Sequence, residues 1–332
     1  MSTRNPALIV RRRSLLVGSV AATLAAPNLV EAQGTGWPKG PIKFVVPFPP
    51  GGSTDPVARL IQARLLETMG WQIVVENKPG AAGVIGATVV AKSPPDGQTW
   101  LVAFDSHILS PAFTSNLPYK DADLLNVMLV GRAPLAIACH PDRPYRNFAD
   151  AMADARQRPG KPSVGVLSAS QALLLITHLQ KENGFDVNVI FYKGGAPTVQ
   201  DLLAGVTDMA LTTLAALEPH VRAGRLRALA TTGDTRTPIL PDTPTLHEQG
   251  IKGYPTYSWW GIYAPAGTPR PIVERMNGEI AKAVRSAEVA PKLAAQIGME
   301  ILGTSPAAFA DFQKVEQERW TRIIEENGIK AD

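Results

Sequence analysis

The feature that most limits the fold of this chain is the alternation of short apolar runs with amphipathic segments. The first such series is a strand at 42–46, a helix at 55–69, a strand at 72–76, a helix at 84–92 and a strand at 99–103. In the first helix apolar side chains recur at helical spacing, Pro56 suits the first turn, and Gly70 follows the end. This β-α-β-α-β order predicts a parallel sheet covered by helices.

A second series follows the single break after Cys139. It consists of a helix at 147–158, a strand at 163–167, a helix at 170–182, a strand at 187–192, a helix at 198–203, a strand at 209–212, a helix at 217–223 and a strand at 226–231. A strand at 257–263 and helices at 271–286 and 306–327 then follow without a sheet of their own. We expect these late helices to return to the first domain.

The chain is therefore predicted to form two α/β domains joined by crossovers near Ala138 and Tyr254, with a ligand cleft between them. Domain one comprises residues 33–138 together with 254–332, and domain two comprises residues 139–253. A length of 332 residues agrees with two domains. Ligands of such folds bind at the carboxyl ends of the strands, where loops and helix N-termini converge.

Residues 1–32 have the character of an export signal. Arg11, Arg12 and Arg13 precede a moderately apolar run, and Ala32 ends a small-residue cleavage sequence before Gln33. The paired arginines resemble a twin-arginine signal, and the alternatives are an ordinary secretory signal or an uncleaved anchor. We therefore predict a periplasmic protein.

The charge of the chain excludes one class of partner. The export segment holds four arginines and one glutamate, which leaves 29 basic and 28 acidic residues in the remainder. The sequence pI of about 9.2 thus gives no support for a nucleic-acid partner. Cys139 is the single cysteine, so no intrachain disulfide forms, and its apolar neighbours indicate a buried strand.

The loop PFPPGGSTDP, residues 47–56, connects the first strand to the first helix. Its glycines allow a ligand to approach the backbone, its hydroxyls add donors, and the helix N-terminus favours a carboxylate or phosphate. Asp55 fits the N-cap position. A plain proline-rich turn is the alternative. No G-K-[ST] follows the glycines, so the loop is not a P-loop.

Similar polar turns follow other predicted strands. They lie at 77–83, 105–107, 168–171 and 192–195. Together with the first loop they predict one cleft lined by backbone N–H groups.

The order of several segments resembles a known family. The segments are VVPFPPGGSTDPVAR, VVENKPGAAGVIGA, PPDGQTWL, FYKGGAPTVQDLLAG, VRAGRLRALA, LPDTPTLHEQG, SWWGIYAPAGTP and a closing NGIK. Together they resemble the Bug family, also called the TctC family, which comprises periplasmic solute-binding proteins of tripartite tricarboxylate transporters. The resemblance covers residues 41–330.

The resemblance implies an α/β periplasmic-binding-protein fold, type II-like, that closes on a small organic carboxylate and delivers it to membrane permease subunits. It implies a binding protein without catalytic residues, metal or cofactor, and we expect a monomer. The ligand-facing positions carried over by motif are Phe48, Pro49, Gly51, Gly52, Ser53, Thr54, Asp55, Ala82, Gly83, Ser106, His107, Ser168, Ala169, Ser170, Gln171, Lys193, Gly194, Gly195 and Thr212. For His107 a helix-capping role and for Lys193 a structural role are the alternatives.

One departure from the family concerns the ligand. Where members commonly show a Ser-Ser-His-like run, this chain has Ala172, Leu173 and Leu174. The polar donors of that loop are then Ser168, Ser170 and Gln171. This change predicts a monocarboxylate with an apolar or aromatic body, or a diacid whose second end stays near water or backbone amides, in preference to a ligand as polar as citrate.

Two other functions compete with transport. An exported hydrolase would use Ser53 or Ser106 with His107, but the sequence has no G-x-S-x-G elbow and no His or Cys pair at metal-binding spacing. A ligand sensor for a signalling partner would have the same sequence features as a transport receptor. Trp259 and Trp260 lie in one predicted strand, and we expect both in the core.

Overall fold

The computed structural model describes Met1 and residues 36–114, 116–253 and 255–329. The predicted export signal, its cleavage after Ala32 and the crossover residue Tyr254 lie outside the described residues. Among the helices of the described part, none combines the length and the apolar character that crossing a bilayer requires.

The described residues form a mixed sheet of ten strands. The strands are β1 (Ile42–Val46), β2 (Ile73–Asn77), β3 (Thr99–Phe104), β4 (Leu124–Cys139), β5 (Ser163–Leu167), β6 (Asn188–Tyr192), β7 (Met209–Thr213), β8 (Arg227–Thr231), β9 (Tyr257–Pro265) and β10 (Glu300–Ile301). Their order is β2-β1-β3-β9-β4-β7-β5-β6, with β8 and β10 also paired to β4. The β1–β2, β1–β3, β5–β6 and β5–β7 pairs are parallel, and β4 and β9 run antiparallel to their neighbours.

Helices cover both faces of this sheet. They are α1 (Thr54–Met69), α2 (Val84–Ala91), α3 (Ser110–Phe113), α4 (Phe148–Gln157), α5 (Gln171–Asn183), α6 (Gly195–Leu203), α7 (Leu214–Arg222), α8 (Arg270–Val284), α9 (Ala290–Ile297) and α10 (Pro306–Asn327). Short 3₁₀ turns occupy Ala81–Gly83, Asp105–Leu109 and Asp121–Asp123.

The long strand β4 joins two halves of the sheet. Its segment 124–134 pairs with β9, and its segment 135–139 pairs with β7, the change falling between Pro134 and Leu135. One half thus contains β1, β2, β3, β9 and β10, and the other contains β5 to β8. The domain boundaries at residues 138/139 and 253/254 stay a prediction.

Each half of the sheet packs between two layers of apolar side chains. In the first half, α1, α8 and α9 cover one face and α2 and α10 the other. In the second half, α4 and α5 cover one face and α6 and α7 the other. Cys139, Trp259 and Trp260 are fully buried, which confirms the predicted core positions.

The predicted elements are found with bounds that differ by a few residues, and four helices or strands were missed wholly or in part. The first part of β4, the four-residue helix α3, the helix α9 and the two-residue strand β10 have no counterpart in the predictions. Residues 124–139 are apolar on both faces, so they lack the alternation that marks a half-buried strand. The segments of α9 and β10 span eight and two residues, too few for a clear periodic pattern.

Candidate functional site

A cavity of about 580 Å³ lies where the carboxyl ends of β1 and β3, from one half of the sheet, meet those of β5 and β7, from the other. Its volume falls in the range of roughly 300–1,000 Å³ that small-molecule sites occupy. The lining residues are Phe48, Pro49, Pro50, Gly51, Gly52, Ser53, Thr54, Pro56, Phe104, Asp105, Leu135, Leu167, Ser170, Ala172, Gly194, Gly195, Ala196, Pro197, Leu211, Thr212, Thr213, Ala215, Ala216, Glu218, Pro219, Arg222, Ser258, Ala295 and Gln296.

The cavity brings together about half of the positions predicted from the sequence. Those that line it are Phe48, Pro49, Gly51, Gly52, Ser53, Thr54, Ser170, Gly194, Gly195 and Thr212. Those that do not are Asp55, Ala82, Gly83, Ser106, His107, Ser168, Ala169, Gln171 and Lys193. Ligand contact at any of these positions stays a prediction.

The loop after β1 contributes the largest contiguous part of the lining. Gly51 has a φ of +85°, a conformation that favours glycine, whereas Gly52 lies outside the left-handed region. Ser53 holds the N-cap position of α1 without a side-chain hydrogen bond to the helix. The loop therefore presents backbone and hydroxyl groups at the start of a helix, where an anion is favoured.

Asp55 is hydrogen-bonded to Asn77, which also holds this loop, and it does not cap the helix, so the predicted N-cap role is wrong. The residue lies within the first turn of α1, because the helix begins at Thr54. Its carboxylate accepts hydrogen bonds from Arg59 Nε at 2.8 Å and from Asn77 Nδ2 at 3.0 Å. The same Asn77 amide donates to the carbonyl of Phe48 at 3.0 Å, which connects the loop to the end of β2.

Ala82 and Gly83 lie behind the lining. Gly83 has a φ of +102°, and a Cβ placed on it would lie 3.4 Å from the ring of Phe48. The 3₁₀ turn before α2 therefore supports the Phe48 side chain, which itself lines the cavity.

His107 lies in the core beside two tyrosines. Its Nδ1 lies 3.2 Å from the hydroxyl of Tyr119, and its ring packs edge-on against Tyr263. Burial lowers the pKa of His107 to about 4, so the ring is neutral at neutral pH. The Ser106 hydroxyl is buried and has no hydrogen-bond partner among the described residues, so Ser106 and His107 do not form a nucleophile–base pair.

The cavity lining holds two polar residues that were not among the predicted ligand-facing positions. Asp105 directly follows β3, and Ser258 lies on β9, which pairs with β3. Burial raises the pKa of Asp105 well above its usual value; the carboxylate of Glu316 raises it further, and the Ser258 hydroxyl and the Ser106 amide oppose the rise. In the sequence, Asp105 is recognisable as a possible site residue because it is acidic and directly follows an apolar strand. The neighbouring Ser106 and His107 were predicted as ligand-facing in its place.

At the N-terminus of α5, Ser170 lines the cavity whereas the adjacent Gln171 is buried outside it. The Ser170 hydroxyl caps the helix, donating to the carbonyl of Leu167 at 2.6 Å and accepting from the amide of Leu173 at 3.4 Å, and it reaches the cavity wall. Gln171 is fully buried. Its amide nitrogen lies 2.7 Å from the carbonyl of Tyr257, and its oxygen accepts at 3.2 Å from the indole N–H groups of Trp259 and Trp320.

The departure from the family at residues 172–174 lies only partly in the cavity. Ala172 lines the wall. Leu173 packs against the core of the half that contains β5 to β8, and Leu174 is fully buried in the cluster with α10 in the other half. Successive helix residues differ by about 100° in direction, so adjacent positions face different neighbours. The two leucines are therefore outside the cavity lining, and of the three departing positions Ala172 alone contributes to it.

The loop before α6 approaches the cavity through its glycines. A Cβ placed on Gly195 would lie 3.4 Å from Thr212 Oγ1, so the start of α6 and the end of β7 are in contact at the wall. Lys193 is exposed and lies outside the lining.

Charged side chains are few in this cavity. Among the described lining residues they are Asp105, Glu218 and Arg222. Arg222 is largely exposed and forms an ion pair with the buried Glu218 one helical turn earlier on α7. Neither Glu218 nor Arg222 was predicted from the sequence to line the cavity. The part of the chain that the structure describes contains no group of three His, Cys, Asp or Glu side chains able to hold a metal ion.

Comparison with known proteins identifies relatives over almost the whole chain. The model of the tripartite tricarboxylate transporter family receptor matches residues 57–329. Protein BugT of Bordetella pertussis is 35% identical over 321 residues, covering 95% of this chain and 97% of its own.

Solved structures show the same fold. R. palustris Rpa4515 with adipate superimposes with a TM-score of 0.85 at 34% identity, covering 89% of this chain and 100% of its own. MatC from Rhodopseudomonas palustris with bound malate gives a TM-score of 0.79 at 28% identity, covering 86% of this chain and 99% of its own. These likenesses confirm the predicted periplasmic-binding-protein fold, and the relatives are solute-binding receptors, which rejects the hydrolase alternative.

Proposed function

Because the chain belongs to the tripartite tricarboxylate transporter receptor family, we propose that it captures a small carboxylate-bearing molecule in the cavity between the two halves of its sheet. The observation that carries this proposal is the convergence of the loops after β1, β3, β5 and β7 on one cavity of ligand size. Homologous receptors with adipate and with malate support the chemical class of the ligand.

We propose that the ligand carboxylate binds at the helix N-termini that reach the cavity. Gly52 and Ser53 precede α1, and Gly194 precedes α6, so amides without intrahelical partners lie at the wall. Each helix end carries a partial positive charge that favours an anion. Arg222 is already paired with Glu218, so backbone groups supply most of the attraction.

The family works with tripartite transporters, and we propose that this receptor delivers its ligand, as a monomer, to the permease subunits of such a transporter. Domain one would comprise residues 33–138 and 254–332, and domain two residues 139–253. Relative movement of these domains would open and close the cavity. The change of pairing partner in β4 between Pro134 and Leu135 supports a hinge at that place.

A thermal-shift screen tests the proposed function. We expect carboxylic acids with an apolar or aromatic body to raise the melting temperature more than citrate does, because apolar groups dominate the cavity wall. A ligand at a hundredfold excess over its dissociation constant adds about 2.7 kcal/mol of stability. Uncharged amides of the same acids serve as controls. No shift with any mono-, di- or tricarboxylate would contradict carboxylate capture, and a clearly larger shift with citrate would contradict the apolar preference.

Export of the chain is a separate prediction. We propose that the chain reaches the periplasm, by the twin-arginine or the ordinary secretory route, and that it is cleaved near Ala32. The intact mass of protein purified from the periplasm should correspond to a chain starting at Gln33. A mass that retains Arg11, Arg12 and Arg13 would show that the segment is not removed.

A further inference from the structure

The lining of the cavity contains a buried acidic side chain whose hydrogen-bonding capacity the protein does not fill. Asp105 is 1% exposed; the Ser258 hydroxyl and the Ser106 amide lie near enough to lower its pKa, but neither makes a hydrogen bond of normal geometry to its carboxyl oxygens. Ser258 is also 1% exposed and part of the lining, and its hydroxyl has no hydrogen bond of normal geometry among the described residues. Buried polar groups are nearly always paired, so this arrangement indicates that a ligand supplies the partner.

The two residues come from neighbouring strands. Phe104 at the end of β3 lies opposite Trp260 on β9, which places Asp105 and Ser258 at the same end of the sheet. The rings of Phe48 and Phe104 meet edge to face with centroids 6.0 Å apart and line the same cavity. Apolar rings beside the polar pair lower the local polarity, and this strengthens any hydrogen bond that forms there.

The protonation state of the pair determines what it can bind. Burial and the nearby Glu316 carboxylate raise the pKa of Asp105 well above its usual value, so this carboxyl holds its proton to a higher pH than an exposed aspartate does. A carboxylic acid has one O–H donor and a carbonyl acceptor. The Ser258 hydroxyl adds another donor and acceptor.

A second ligand carboxylate fits this place poorly. It would lie near the negative charge of Glu316 and, when Asp105 is ionised, of Asp105 as well, and among the described lining residues the one cationic side chain, Arg222, is largely exposed and paired with Glu218. Burying a carboxylate without a cationic partner is unfavourable. A hydroxyl or ammonium group, by contrast, donates to the oxygens that lack partners.

We infer that Asp105 and Ser258 form a specificity subsite that selects a hydrogen-bond donor, a hydroxyl or an ammonium group, on the body of the carboxylate ligand. This inference rests on the proposed function. A ligand hydroxyl donates to a carboxyl oxygen of Asp105. A ligand ammonium forms an ion pair with the ionised Asp105 carboxylate.

Four acids of one chain length test the subsite. Calorimetry would compare hexanoate, 6-hydroxyhexanoate, 6-aminohexanoate and adipate, which differ only in the terminal group. We expect at least one of the two donor-bearing acids to bind about tenfold more tightly than hexanoate and adipate. Asp105→Ala should remove that advantage. Asp105→Asn should keep the advantage of the hydroxy acid and lose that of the amino acid, since the amide is neutral and still hydrogen-bonds.

The exposed Asp311 on α10 provides the matched control, and Asp311→Ala should leave the order of the four affinities unchanged. Adipate binding as tightly as the two donor-bearing acids, or an order that Asp105→Ala does not alter, would overturn the inference. Failure of every acid to bind, in this series and in the broader screen, would contradict the proposed function instead.

Discussion

Replacing Gly52 with leucine is expected to weaken carboxylate binding by about a hundredfold or more while the protein stays folded. Gly52 lines the cavity just before α1, and its side chain would occupy the space through which a carboxylate reaches the backbone amides. The backbone itself accepts a side chain there. A Cβ on Gly52 meets its nearest atom, the Pro49 carbonyl oxygen, at 3.7 Å, which is an ordinary contact.

The measurement is calorimetric titration with the best acid from the thermal-shift screen, together with the melting temperature of the free variant. Gly51 is a poorer target, because its φ of +85° makes any side chain strained. Gly278→Leu on α8 is the control, since a Cβ at Gly278 has no atom within 4 Å and the residue lies outside the cavity. Unchanged affinity in Gly52→Leu would remove the loop after β1 from the binding site.

Replacing Gln171 with alanine is expected to lower the free energy of unfolding by about 3 kcal/mol and to change ligand affinity little. The Gln171 side chain is fully buried and lies outside the cavity lining. Its loss leaves the indole N–H of Trp259 and the carbonyl of Tyr257 without their partner, whereas Trp320 Nε1 still donates to Glu316 at 3.0 Å. Two unpaired buried groups and the space left by the side chain account for the expected loss.

Urea unfolding of Gln171→Ala and of the control Gln157→Ala would measure this effect. Gln157 ends α4 and is exposed, so its replacement should leave stability within about 0.5 kcal/mol of the unmodified protein. A Gln171→Ala variant with normal stability and much weaker ligand binding would instead support the ligand contact that the family motif implies.

The helices and strands were predictable where the sequence has a clear period and clear ends. The helix α1 shows apolar side chains at helical spacing with glycine after its last turn, and its bounds were predicted to within one residue. The central strand β4 was recognised only at its end, because a strand buried on both faces has no polar alternation. Its exchange of partners at Pro134 depends on residues of β7 and β9 far along the chain.

The site was predictable where it consists of backbone. Glycines and small hydroxyl residues between a strand and a helix indicate an approachable helix N-terminus, and Gly52, Ser53, Gly194 and Gly195 do line the cavity. Side chains that line it from other elements, such as Leu211, Glu218 and Ser258, carry no local pattern that separates them from core or surface residues.

The sequence by itself determined that this chain alternates strands and helices, that its strand-to-helix loops are rich in backbone donors, and that it resembles a receptor family. These properties are local or motif-based, so they are visible in the order of residues. Tertiary structure alone decided which side of each helix meets the cavity. It turned Gln171 and Leu174 into the core while Ser170 and Ala172 reached the wall, and it placed Asp105 beside Ser258. Both outcomes depend on how helices and strands distant in sequence pack, and a residue's orientation about a helix axis is not set until its neighbours are in place.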